Sequence, residues 1–536
     1  MNITHATAAT LFALTLALPA CQSPKPWDVD EQVGYDYSSP PRTQVGMAPD
    51  AAADVEPPVV DDGPLTLSIE QAVMLALQNN RALRIQRLEP AIVGQFEQIE
   101  RARFDPLVFS EIAYSEGTTE RVSPDIGQTF SIDSEAVSAE AGLRQLLPTG
   151  TELGLDISHD WSESNRAAEQ HEARVGVSLT QALLRGRGRE ANLAAIRQAR
   201  LDTLASEYEL RGFAEALVAE LETTYWEYVL ARREIEIFQS SLDVAEQQQD
   251  ETARRVEVGV LAETEMAAAR AEVALRREAL INARNAAETL RLQLLRLMNP
   301  GRPQWDRAVE PVEEPSFVDV ELDDVEDHVA LALQRRSDLN EARLRLAQRR
   351  LDVVTTGEGL LPRLDLFATL GKTGYADAFG QAWRDIDGQS YDFTVGAQFE
   401  YTLGNRAAEA RDRAARFSRR QASEAIGNVA ELVQLDVRTA WLEVQRSREQ
   451  IAATVATREL REETLRAEQE KFRVGTTTAL LVAQAQRDLL ESQIAEVQAV
   501  INYRQALIDL YRLEGSLLLR RGVDAPGAEP REFNGE

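Results

Sequence analysis

Apolar residues recur along two long tracts of this chain at spacings of three and four. Leu210, Phe213, Leu217, Leu221 and Tyr225 form one series; Val433, Val437, Ala440, Val444 and Ile451 form the other. That period places each series on one stripe of an α-helix. The tracts cover about 188–256 and 405–472, and only Gly212 and Gly427 interrupt their interiors. At 1.5 Å per residue each predicts a helix of about 100 Å. Each runs into a glycine, Gly259 or Gly475, and then into a shorter helical stretch, 262–298 or 478–517. The shorter stretches reach about 55 Å by the same rise, so two end to end equal one long helix. The arithmetic predicts a tall cylinder in which short helices stack beside long ones.

A second pattern has a period of two. Tyr391, Phe393, Val395, Ala397, Phe399 and Tyr401 alternate with Asp392, Thr394, Gly396, Gln398, Glu400 and Thr402. Leu153, Leu155, Ile157 and Trp161 alternate with polar partners, as do Val175, Val177 and Leu179. Alternation alone fits any half-buried antiparallel sheet. Segments of about ten residues with aromatics at their ends also fit membrane strands, lipid face out and polar lumen in. Six segments alternate: 107–115, 136–146, 151–161, 173–181, 363–371 and 391–402.

The order of elements repeats. Ala76-Leu77-Gln78 matches Ala332-Leu333-Gln334, and Pro106 and Pro362 keep the same offset. Trp226 and Trp441, and Gly259 and Gly475, are related by an offset about forty residues smaller, so the first copy carries extra sequence between the proline and the tryptophan. Each copy opens with a helical stretch (66–103 and 321–360), continues into strands, then a long helix, then a short one. Ser68 and Gln71 form a candidate capping box at the first helix start. The organisation is therefore signal peptide 1–20, tether 21–64, first repeat 65–300, linker 301–320, second repeat 321–518 and tail 519–536.

Composition narrows the function. With 88 acidic and 58 basic residues among 536, the formal net charge is −30, which argues against nucleic-acid binding. The three lysines, Lys25, Lys372 and Lys471, sit in no phosphate-binding loop, and the four histidines, 5, 159, 171 and 328, form no metal motif. Gly186-Arg187-Gly188 lacks a third glycine and a surrounding nucleotide-binding unit. No nucleophile constellation is present, so catalysis is not expected, and no cofactor beyond a covalent lipid.

That lipid would sit on Cys21, the sole cysteine. Residues 8–20 are apolar, uncharged and too short to span a bilayer as a helix, which reads as the core of a secretory signal. Leu18-Pro19-Ala20-Cys21 resembles a bacterial lipobox, although no Lys or Arg precedes it; the other reading is a plain signal peptide. Gln22 following the cysteine suggests outer-membrane sorting. Residues 22–64, rich in Pro, Asp, Ala and Ser, read as an extended tether.

Taken together, the chain resembles the TolC-like outer-membrane efflux proteins, in their lipoprotein form, from Leu65 to about Leu518. Leu65–Ala72 and Ala76–Asn80 carry the resemblance at the start; Arg255-Val256-Glu257-Val258-Gly259 and Phe472-Arg473-Val474-Gly475-Thr476 carry it at the two helix turns. The resemblance implies a mainly α protomer with membrane β, in a homotrimer whose β-barrel spans the outer membrane and continues as a periplasmic α-helical barrel. It implies a passive exit duct for efflux or type I secretion, coupled to an inner-membrane pump through a periplasmic adaptor. Amphipathic strands too few to close a barrel alone are consistent with oligomerisation. The competing reading is an anchored coiled-coil or adhesin lipoprotein, which explains the helices but not the duplicated strands.

By the same resemblance, Arg255, Val258, Gly259, Phe472, Arg473, Val474 and Gly475 form the periplasmic tip that docks the adaptor. Thr264, Glu265, Leu480, Leu481 and Gln484 stand at the gate. Family gates carry acidic residues six and nine positions after the second turn glycine; here those positions are Leu481 and Gln484, while Glu265 keeps the acid after the first. This predicts a partly apolar constriction, or else Glu265 is only a solvated helix residue. Strand number also departs: family protomers give four, and here 136–146 and 151–161 flank Pro148-Thr149-Gly150 as an extra pair. With 116–135 and 162–172 as outer loops, the barrel exceeds twelve strands, or the pair forms a hairpin outside the bilayer.

Overall fold

The computed structural model describes residues 45–47, 63–122, 127–301 and 304–527. The expected signal peptide, Cys21, most of the tether and residues 528–536 lie outside the described residues.

The four predicted helices form as read: Ala194–Glu257 (64 residues), Glu263–Met298 (36), Arg406–Arg473 (68) and Ala479–Leu513 (35). They are called here the first long, first return, second long and second return helices. The predicted stripes are what they bury. Leu210, Leu217, Leu221 and Tyr225 are buried in one core, with Phe213 packed on its edge; Val433, Val437, Ala440, Val444 and Ile451 are buried in another. No helix among the described residues is long and apolar enough to cross a membrane.

The lateral order follows the length arithmetic. Toward the sheet, four helices lie side by side: Leu88–Arg101, the first long helix, Ser337–Glu358 and the second long helix. Toward the helix turns the order is first return, first long, second return, second long. Two stacked short helices thus accompany each long one.

The opening helical stretch of each copy is divided into separate helices. Ile69–Asn79 gives way to Arg81–Gln86 at Asn80, and Val325–Arg335 gives way to Ser337–Glu358 at Arg336. Asn80 and Arg336, 256 positions apart like the other repeat pairs, share extended ψ angles of 122° and 126°. Asn80 holds its break by accepting from the Leu83 amide at 3.0 Å and donating to the Leu297 carbonyl at 2.9 Å. The capping box forms: Ser68 Oγ accepts from the Gln71 amide at 3.2 Å, and Gln71 Oε1 accepts from the Ser68 amide at 2.9 Å.

Short strands tie the chain ends to the long helices. Gly46–Met47 (β1) pairs with Val523–Asp524 (β10), and Leu65–Leu67 (β2) pairs in parallel with Val309–Pro311 (β7) inside the expected linker. Tyr225 donates to the Leu67 carbonyl at 2.9 Å and Tyr228 to the Val309 carbonyl at 2.7 Å. Burial first, then the Glu313 carboxyl beside it, push the Tyr225 hydroxyl pKa well above its usual value. Arg521 donates to both oxygens of fully buried Glu222, at 2.6 and 2.7 Å.

The remaining strands form one antiparallel sheet. Its members are Leu107–Val122 (β3), Thr129–Leu146 (β4), Thr151–Ser164 (β5), Ala167–Ala182 (β6), Arg363–Ala376 (β8) and Tyr391–Glu400 (β9), in the order β3-β4-β5-β6-β8-β9. All six predicted segments form strands, the last ending at Glu400 rather than at 402, and the turn at Pro148–Gly150 joins β4 to β5 as expected. The expected outer loops 116–135 and 162–172 are corrected: β3 and β4 pair out to Val122↔Thr129, and only Asn165 and Arg166 separate β5 from β6. In 116–122 and 162–172 the alternation that marks a strand is lost, and at Phe130 and Ile132 it changes face, but cross-strand bonds continue the ladder. Thr118 Oγ1 donates to Asp133 at 2.8 Å, for example. These strands of 14–18 residues are longer than the roughly ten that a bilayer requires.

Candidate functional site

Two regions carry the candidate chemistry: the ends of the helix hairpins and the two faces of the sheet. Both hairpins turn by the same device. Gly259 adopts φ +76° and Gly475 φ +80°. The Val260 amide reaches back to the Arg255 carbonyl at 2.9 Å, and the Thr476 amide to the Lys471 carbonyl at 2.9 Å. These are the C-terminal closures that a left-handed residue permits. A Cβ at either glycine would meet no atom, so the requirement is purely one of backbone conformation.

The predicted tip residues cluster there. Val258 and Val474 are exposed, and the Arg255 guanidinium lies over the Phe472 ring, 5.3 Å from its centroid, bringing the two turns into contact. Arg255 also pairs with Glu251 at 2.5 Å and Arg473 with Glu470 at 2.9 Å. Lys471, donating to Glu468, holds that carboxyl below the usual carboxylate range. The tip thus offers exposed aliphatics rimmed by oriented guanidinium groups.

The expected gate residues divide. Glu265 and Leu480 line one cavity of about 390 Å³ with Ala245, Gln248, Ala483 and Arg487. Thr264, Leu481 and Gln484 are exposed on the protomer and lie outside that lining. In the lining of the same cavity, Glu272 accepts from Arg487 at 3.1 Å and forms an ion pair with Arg276 at 2.6 Å. Gln486 donates to Gln248 at 2.8 Å. Arg487 and Gln486 belong to the second hairpin, Glu272 and Gln248 to the first, so these polar contacts join the hairpins near their tips. Sequence reading missed them. Glu272 and Arg276 at i,i+4 were a visible signal, but their partner lies 215 residues away.

The sheet has one polar face and one apolar face. On the polar face Arg174 of β6 donates to Asp156 of β5 at 2.6 Å and to Asp392 of β9 at 3.0 and 3.2 Å. It reaches β9 across Gly371 of β8, where a Cβ would come within 2.6 Å of the guanidinium. One arginine thereby spans four strands.

Among the described residues, each flank of the molecule leaves an apolar stripe uncovered. Ile85, Leu88, Ile92, Phe96 and Ile99, spaced three or four apart, are all more than half exposed. On the opposite flank the second long helix buries only eight of its 68 residues and exposes Phe417, Leu432, Leu435, Leu442 and Leu460. The sheet ends on the same flanks, with β3 and β9 each paired on one side only.

A family model described as "Outer membrane efflux protein" matches residues 72–300 and 329–516. Among solved structures, the chain resembles the outer-membrane channel OprN at 19% identity and a TM-score of 0.64, covering 89% of this chain and 97% of that one. It resembles the Campylobacter jejuni CmeC outer membrane channel at 16% identity and 0.62, covering 84% and 86%. It resembles the Neisseria gonorrhoeae MtrE outer membrane channel at 18% identity and 0.58, covering 88% and 98%. No curated protein matches the chain in sequence.

Proposed function

This chain belongs to the outer membrane efflux protein family, and from that premise we propose how its parts work as a homotrimeric exit duct. The fold is that of the family: a transmembrane β-barrel continued by a long α-helical barrel, built from an internally duplicated protomer. The observation that carries the trimer is the coincidence of open sheet edges and exposed helix stripes on the same two flanks. An open strand edge does not persist in hydrocarbon, and an apolar stripe on a long helix needs a neighbour. A second and third copy supply both. β3 runs antiparallel to β9, so the alternation of strand directions continues from one protomer to the next.

The polar sheet face then lines the lumen and the helix-turn end forms the periplasmic mouth. The exposed valines and guanidinium groups around Gly259 and Gly475 dock a periplasmic adaptor, which links the duct to an inner-membrane pump. The chain performs no chemistry; the pump supplies the energy. The constriction is the region of Glu265, Leu480 and Leu481, closed by the Arg487–Glu272 contact between hairpins. Lipid on Cys21 adds a second attachment to the outer membrane, beside a barrel that already holds the bilayer.

The test is reconstitution of the purified chain. Trimers by native mass spectrometry, with discrete conductance steps in planar bilayers, are expected; Phe96→Asp should yield monomers. Intact trimers with no conductance would favour the anchored coiled-coil reading.

A further inference from the structure

We infer that the extra hairpin β4–β5 is part of the lipid-facing wall, so that three copies close an eighteen-strand barrel as wide as the helical ring beneath it. The inference rests on the trimeric-channel reading above.

The register carries it. Val108 pairs with Leu143, Leu143 with Leu155, Leu155 with Val177, Val177 with Leu370, and Leu370 with Phe393. One ladder row crosses all six strands, every member is aliphatic or aromatic, and each is at least 38% exposed. The adjacent row, on the other face, reads Phe109, Gly142, Asp156, Gly176, Gly371 and Asp392. The inserted hairpin therefore keeps the same faces, in the same phase and at the same depth, as the strands on either side. A one-residue slip would invert every side chain, so this phase is a strongly specified property. A hairpin standing in water has no reason to hold Leu143, Leu155 and Ile157 outward in line with Val177 and Phe393. A hairpin in hydrocarbon does.

The polar face agrees. Asp156, from the inserted hairpin, is held by Arg174, which also holds Asp392. The extra strands are thus tied into the lumen wall on one face and continuous with the lipid band on the other.

Dimensions give the consequence. At about 4.8 Å between strands and a tilt of about 40°, eighteen strands have a perimeter of about 113 Å, against about 75 Å for twelve. Each protomer sets four helices side by side, so three set twelve. At roughly 9–10 Å between axes, twelve helices have a perimeter of about 110–120 Å. The barrel with the inserted hairpins matches the ring it continues, and cargo leaving the helical section meets no narrowing at the membrane.

Spin labels on single cysteines test this, in a Cys21→Ser background and in trimers reconstituted into phosphatidylcholine vesicles. Leu143 and Leu155 report on the inserted hairpin, Val177 and Phe393 on the flanking wall, and Ser158 on the polar face. The ratio of collisions with oxygen to collisions with a water-soluble nickel chelate should be alike at the first four and several-fold lower at Ser158. Water-exposed labels at Leu143 and Leu155, with lipid-exposed labels at Val177 and Phe393, would overturn the inference alone. Water exposure at all four would overturn the membrane reading beneath it. Should labelling disturb assembly, the strand count in an electron cryomicroscopy map of the unmodified trimer decides: eighteen supports the inference, and twelve with a detached hairpin rejects it.

Discussion

Replacing Arg487 by Met should open the periplasmic end. Arg487 contacts Glu272 at 3.1 Å; its side chain is 38% exposed and that of Glu272 only 13%. Exposed pairs contribute about 0.2–1 kcal/mol, whereas removing one partner of a buried pair costs about 3–5 kcal/mol. This pair lies between those limits. Glu272 also keeps Arg276 at 2.6 Å, so it is not left uncompensated. Discounted for solvent on the arginine, the loss is about 1–1.5 kcal/mol per protomer. At about 1.4 kcal/mol per factor of ten, the open fraction rises roughly tenfold if hairpins move singly and about 10²–10³-fold if three move together. Single-channel recording measures open probability directly, and Glu272→Gln with the double variant completes a cycle. Arg487→Met with unchanged open probability and a lower melting temperature would show that the contact only stabilises the fold. A coupling energy near zero would refute the contact's role altogether.

Three further outcomes are expected. Gly475→Val places a β-branched residue at φ +80°, costing about 1–2 kcal/mol in the turn; capture of the adaptor should weaken more than trimer melting falls, and adaptor crosslinks mapping to 116–135 would reverse the assigned orientation. Cys21→Ser should remove lipid mass from the mature N-terminus while trimers still assemble, and a mature chain with an unmodified Cys21 would exclude lipidation. Leu481→Ser should raise closed-state conductance more than Glu265→Gln does, because leucines repeated around a narrow opening exclude water; a silent Leu481 with divalent block through Glu265 would assign the constriction to a carboxylate ring.

Local order was written in the chain itself. Three-and-four spacing specified the long helices and the stripes they bury. Ser68 and Gln71 specified a cap, Gly259 and Gly475 the reversals, and period-two runs the six strands. Each of these signals is exchanged between residues a few positions apart, so neighbours in sequence suffice to state it. The ends of the strands were not legible, because 116–122 has lost its alternation and Phe130 and Ile132 fall on the face opposite Val137 and Leu143, so these stretches are held extended by pairing with each other. Nor were the helix breaks at Asn80 and Arg336, where the Asn80 side chain caps the next helix and bonds to Leu297, 217 residues on. The pairs Arg487–Glu272 and Arg174–Asp392 join residues more than two hundred positions apart, and the row from Val108 to Phe393 exists only once five registers are set. Which face a residue presents is a matter of period and is local; which residue lies opposite it depends on how the strands and helices pack, and only the tertiary structure decides that.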